Sequence, residues 1–290
     1  YISDSVDQSV LNRMRKLIQS IDVDALTMNI ESLAECMFTH KWINPFPKFK
    51  YSERPDTATA AILDGNIVIM VDNSPAVMII PASIFDIIEE ADDFNFSPMI
   101  GSYLRITRFF FSIVTWILTP LWLLFVNNPD WVPEFMKFVL ITDDITVPVL
   151  LQLLILELAV DGLKLAAVNT PTMLSTPLSI VAGIVVGEYA VSSGWFNPEA
   201  LLYMAVVTVG TYGQTNFEMG YAFKFLRVLT LILTQIFNLG GFIAGVVISV
   251  LMIAFNRTIT GKSYIYPLIP WDGKMLKRKV FRVRLPHSYK

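Results

Sequence analysis

Apolar positions along this chain change rhythm near residue 109. Before that point they recur at short, mixed spacings. Val10, Met14, Leu17, Ile18 and Ile21 fall at helical intervals and predict a first helix, with a second short one within 24–38. Asn44-Pro-Phe-Pro47 reads as a connector, and Pro55 suits the first turn of a helix running through Ala61. Residues 67–71 and 77–80 are β-rich and flank Asp72-Asn-Ser-Pro75, which predicts a hairpin. Pro81 is expected to open an amphipathic helix ending in Glu89, Glu90, Asp92 and Asp93. That cluster reads as a solvated helix end, with a cation or partner site as the other reading.

After residue 109 the apolar positions run together. Stretches 109–126, 147–168 and 173–192 each approach the ~20 residues that cross a bilayer. A fourth opens at Asn197-Pro-Glu199, which offers an N-cap, a first-turn proline and an acid on the positive end of the helix dipole. Residues 225–255 would make a helix of ~46 Å at ~1.5 Å per residue, too long for one span. Asn238-Leu-Gly-Gly241 interrupts it, which predicts two short or re-entrant helices. The pattern predicts an α-helical integral membrane domain of about six segments (105–256). A small, N-terminally incomplete α+β cytosolic domain (1–104) precedes it, and a basic cytoplasmic tail (257–290) follows.

Composition and charge agree with that division. The chain is 54% apolar and 16% charged, against roughly 25% charged in soluble proteins. Residues 1–108 carry 15 acidic and 9 basic side chains, 109–255 carry 9 and 4, and 256–290 carry 1 and 9. Arg105 and Arg108 precede the first apolar run, Lys164 ends the second, and Lys224 and Arg227 follow the fourth. Basic flanks stay cytoplasmic, so six passes place the soluble part, Arg257, Lys262 and the tail on one side, and five do not. The tail reads as a stop signal and a surface for anionic lipid.

Candidate chemistry is sparse. The single cysteine, Cys36, forms no internal disulfide and is expected to be buried, and two histidines provide no zinc spacing. GxxxxGK[ST], GxGxxG, GxSxG and HExxH are absent, so nothing argues for an enzyme, a cofactor, a metal or nucleic-acid binding. No charged-then-apolar leader opens the chain, and Tyr1 is expected of a fragment.

Three groups remain. Glu157, Asp161 and Lys164 share one helical face with Gln152 nearby; they read either as an Asp161–Lys164 pair holding helices together, as an interfacial helix, or as the lining of an ion route. In the third apolar run Thr176-Pro177 can cap a helix whose stripe Ser179, Gly183, Gly187 permits close backbone approach, beside Ile180, Ile184 and Glu188. That stripe either packs inside one subunit or, in a ring, makes Ile180 and Ile184 apolar rings and Glu188 an acidic mouth. Gly241 and Gly245 form a second GxxxG, read as plain helix packing.

Asn44-Pro-Phe-Pro47, Tyr51-Ser-Glu-Arg-Pro-Asp56, Leu63-Asp-Gly-Asn-Ile-Val-Ile-Met-Val-Asp72, Thr170-Pro171, Ser175-Thr176-Pro177 and Tyr266-Pro-Leu-Ile-Pro270 together resemble the A subunits of GerA-type spore germination receptors. Trp271-Asp-Gly-Lys274 before the basic tail is most similar to the sporulation-operon branch of that family. The resemblance implies a homo-oligomeric ring channel, a pentamer, in the spore inner membrane, which releases ions as germination begins. It also implies a transporter-like B subunit and a lipoprotein C subunit as partners, and no catalytic residue. A secondary transporter would show two related halves, which this sequence lacks; a non-conducting scaffold or receptor subunit remains the alternative.

Overall fold

The computed structural model describes residues 1–38, 44–169 and 183–282. The chain forms two compact units. The first gathers residues 1–109 and 215–219 with the chain from 250 onward; the second comprises 110–214 and 220–249.

In the first unit, α1 (Gln8–Gln19) begins where Asp7 accepts a hydrogen bond from the Ser9 N–H at 2.9 Å. Val10, Leu11 and Met14 give it one buried face. The second helix is shorter than 24–38: α2 covers Ile30–Met37, after Asn29 at φ 48°. Cys36 on α2 is half-buried, so the expectation of full burial is corrected; Leu33, Ala34 and Met37 take the core positions of that helix. Strand β1 (Lys50–Ser52), which carries no clear sequence signal, precedes α3 (Pro55–Leu63) with Pro55 in its first turn. Gly65, at φ +85°, follows α3; a Cβ there would lie 2.5 Å from the Ser5 carbonyl oxygen.

Strands β2 (Ile67–Met70) and β3 (Val77–Ile80) form the expected antiparallel hairpin, and β1 adds to its other edge in the order β1-β3-β2. Tyr51 and Ile69 both face Met78 in register. Central β3 is therefore the most buried, with Met78 and Ile80 fully enclosed.

Helix α4 (Ile84–Ile88) starts at Ser83 rather than Pro81. Ser83 Oγ accepts from the Asp86 N–H at 3.3 Å while Asp86 Oδ2 accepts from the Ser83 N–H at 2.8 Å. This reciprocal cap sets the first turn. Helix α5 (Pro98–Asn127) begins eleven residues ahead of the apolar run it contains.

In the second unit, the later part of α5 packs with α6 (Val149–Asn169), with the helix Pro198–Tyr212 and with the first part of the segment Phe217–Ala254. Trp122, Leu123, Leu153, Ala200, Met204 and Leu231 form their shared core. Phe217–Ala254 is not one rod. Asn238 (φ 53°, ψ −129°) breaks it, and a Cβ on Gly241 would lie 1.8 Å from the Leu233 carbonyl oxygen and one on Gly245 2.9 Å from Thr230 Cα. As the chain advances by four residues its partner retreats by three, so arm 239–254 folds back antiparallel on arm 217–237. The interruption expected at Asn238-Leu-Gly-Gly241 is thus a helical hairpin, and Gly241 and Gly245 are the positions at which its arms touch.

Among the described residues, the helix Pro98–Asn127 and the segment Phe217–Ala254, the latter broken at Asn238, are by length and composition candidates to cross a membrane.

Candidate functional site

The charged face predicted on α6 forms, but its partners are not those expected. Glu157 is buried and accepts two parallel hydrogen bonds from Arg227, one of them Nη2 to Oε2 at 2.8 Å. Arg227 Nη1 donates to the Thr115 carbonyl on α5. Asp161 pairs with Lys224, whose ammonium also donates to the Glu157 carbonyl at 3.1 Å. Lys224 and Arg227 lie three residues apart on arm 217–237, and Glu157 and Asp161 four apart on α6, so both pairs close at once.

This corrects the expected pairing. Asp161 pairs with Lys224 rather than Lys164. Lys224 and Arg227, read as cytoplasmic flanks, also serve as counter-charges to these acids, Arg227 buried at 2% exposure and Lys224 half-buried. Lys164 instead lies over the rings of Tyr212 and Tyr221, 5.2 and 5.5 Å from their centroids, an arrangement that stabilises a partly desolvated cation through the ring quadrupole.

Gln152 and Asn197 form a second polar contact. Gln152 Nε2 donates to Asn197 Oδ1 at 2.7 Å, and Gln152 Oε1 accepts from the Asn197 N–H at 2.9 Å. Asn197 precedes the helix as expected but does not cap it with its side chain, because that oxygen is taken by Gln152.

Of the third apolar run, Ser179 and Ile180 lie outside the described residues, as do Thr176 and Pro177. Residues Gly183–Tyr189 form a π-helical stretch that continues into the short helix Ala190–Ser192. Ile184 lies on that stretch. Gly183 and Glu188 are exposed, Gly187 is half-buried, and a Cβ added at either glycine would meet none of the described residues within 4 Å. π-Helical turns are rare and concentrate at functional sites.

A further charged cluster, in the first unit, was missed as such. Of the acidic residues after α4, Glu90 and Asp92 stay largely exposed, as a solvated helix end would be, but Glu89 and Asp93 do not. Asp93 is fully buried and meets Arg108 at 2.6 Å and Arg105 at 3.2 Å, while Glu89 meets Arg105 at 2.6 Å. Part of the basic tail closes the same cluster. In the helix Gly273–Val280, capped by Asp272, Lys279 reaches Asp86 at 2.5 Å and Glu89 at 3.3 Å, and Arg105 donates to the Arg278 carbonyl at 3.2 Å. The signal was present as opposite charge blocks at 86–93, 105–108 and 277–282, but only folding pairs blocks so far apart in sequence. Burial by itself would raise the Asp86 carboxyl, yet Lys279 and Ser83 hold it below the ordinary carboxylate value.

The sequence as a whole, residues 1–290, matches the family described as Bacillus/Clostridium GerA spore germination protein. The chain belongs to the GerA family. Among GerA relatives it is 35% identical to Stage V sporulation protein AF of Bacillus subtilis (strain 168) over 286 residues, which are 99% of this chain and 58% of that protein. It is 26% identical to Spore germination protein KA of the same organism over 288 residues, 98% of this chain and 52% of that protein. It is also 26% identical to Spore germination protein GerLA of Bacillus cereus over 293 residues, 99% and 58% of the two chains. The chain therefore spans a little over half the length of these GerA proteins. No solved structure matches it.

Proposed function

We propose that this chain is the membrane-bearing part of an A-subunit-like GerA protein that assembles as a ring, a pentamer, in the spore inner membrane and passes cations as germination begins. The observation that carries this reading is the outward apolar surface of the hairpin Phe217–Ala254. Most of its apolar side chains are not enclosed within the chain, and Ile236 and Phe237 are each 64% exposed. The core helix of a soluble protein would be mostly enclosed; this surface calls for lipid and for other copies of the chain.

Pairing within the chain also redistributes the candidate pore residues. Glu157 and Asp161 are already neutralised by Arg227 and Lys224, so they hold helices together. The conducting axis falls to the third apolar segment, where Glu188 is exposed and Ile180 and Ile184 supply apolar rings above an acidic mouth. Six passes put the soluble part and the tail on the core side. The B and C subunits are the partners this assembly takes.

Purified protein in planar bilayers tests the reading. Discrete conductance steps, with cation preference lowered by Glu188→Gln, are the expected result. Silence from oligomers that remain intact in detergent would identify a scaffold or receptor subunit instead.

A further inference from the structure

Lys48 is buried in the first unit at 6% exposure. Its ammonium donates to two neutral acceptors, Asn256 Oδ1 and, at 2.8 Å, the Arg257 carbonyl. The rings of Tyr264 and Phe38 flank it at 5.3 and 5.6 Å. Segments 39–43, 170–182 and 283–290 contain no Asp or Glu, so all 25 acidic side chains are among the described residues. None of them pairs with Lys48. Burial pushes its ammonium down to about 8.

Two groups beside it lack acceptors among the described residues. Asn44 Oδ1 accepts from the Phe46 N–H at 3.1 Å, which orients the Asn44 amide, and Asn44 Nδ2 donates to Asn256 Oδ1 at 2.8 Å. Asn256 Oδ1 thus takes two donors, which fixes its amide and leaves Nδ2 buried with no partner among the described residues. The hydroxyl of Tyr264, a residue with no exposure, is also buried with no partner. A buried cation thus sits over the Tyr264 ring and against the Asn256 side chain, two residues that each carry a buried donor without an acceptor among the described residues. A water molecule would satisfy the donors and leave the charge unbalanced; a cationic ligand would be repelled.

We infer that Lys48, Asn256 and Tyr264 form a binding site for a small monovalent anion, chloride or a short carboxylate. The ammonium balances its charge, Asn256 Nδ2 and Tyr264 Oη direct hydrogen bonds to it, and Phe46, whose ring lies 5.8 Å from that of Tyr264, helps to limit its size. A buried cation that lacks a counter-ion is among the costliest arrangements in a protein interior, and a bound anion removes that cost while joining the 44–48 segment to 256–264.

The test is thermal unfolding of the detergent-solubilised chain in sodium gluconate, an anion too large for the site, titrated with chloride, formate or acetate at constant ionic strength. The melting temperature of the wild type should rise and saturate. Whichever anion has the lower midpoint identifies the occupant as inorganic or carboxylate. Lys48→Met should abolish the saturable rise. Tyr264→Phe, which keeps the ring, should move the midpoint roughly tenfold or more, the scale of one hydrogen bond to a charge, and it decides the matter if Lys48→Met fails to fold. A flat wild-type titration, or a Tyr264→Phe midpoint equal to wild type, would overturn the proposal.

Discussion

Arg227 grips both carboxylate oxygens of Glu157 across two helices, and the pair is nearly solvent-free, at 2% and 4% exposure. Such a pair adds little net stability over an apolar contact, yet breaking it leaves a buried charge. Arg227→Met should therefore cost about 3–5 kcal/mol, and Glu157→Leu combined with Arg227→Met should recover most of that loss. Unfolding curves of the four proteins in detergent give the double-mutant cycle; simple additivity would show that the two side chains act independently.

The hairpin at Asn238 makes a local steric prediction. A Cβ at Gly241 would meet the Leu233 carbonyl oxygen at 1.8 Å, whereas one at the adjacent Gly240 meets nothing within 4 Å. Gly241→Ala should destabilise by about 1–3 kcal/mol or more, as overpacking does. Gly240→Ala should be neutral or slightly stabilising. Equal melting temperatures for the two variants would contradict the close approach of the arms.

The Lys279 clasp should respond to acid. Asp86 titrates below its ordinary 3.8, so its contribution is complete above that value and is lost as pH falls through the lower folded value. Lys279 is raised above its ordinary 10.5: burial works against this, and Asp86 and Glu89 outweigh it. Its contribution is present below pH 10.5 and lost only on passing the folded value above it. Hydrogen exchange of helix Gly273–Val280 should therefore stay slow between these limits and accelerate on acidification. Lys279→Met should exchange fast throughout.

Glycines 183 and 187 have open space around them among the described residues, so leucine at either position should leave the monomer folded. In the proposed ring the same change should lower the oligomer fraction in detergent, since close helix approach needs small residues. Ile184→Ser should instead preserve assembly and yield spores that leak ions and lose dormancy. Normal assembly of Gly187→Leu together with wild-type dormancy of Ile184→Ser would remove this segment from the pore.

Local chemistry made much of this protein readable from its sequence. The apolar runs 109–126 and 147–168, Pro55 and Pro198 at helix starts, the alternation at 67–80 and the break at Asn238-Leu-Gly-Gly241 act over a few residues, and each recurs in the structure near its expected place. The order of sequence blocks was also enough to indicate the GerA family. Partnership was decided only by tertiary structure. Lys224 and Arg227 resemble topological flanks until α6 lies beside them, and the acids at 86–93 resemble a solvated end until Arg105, Arg108 and Lys279 arrive from elsewhere in the chain. The physical reason is range. Helix and turn propensities are settled by neighbours, whereas a charge takes its state from whatever folding places within a few ångströms of it, and no periodicity in the sequence records that.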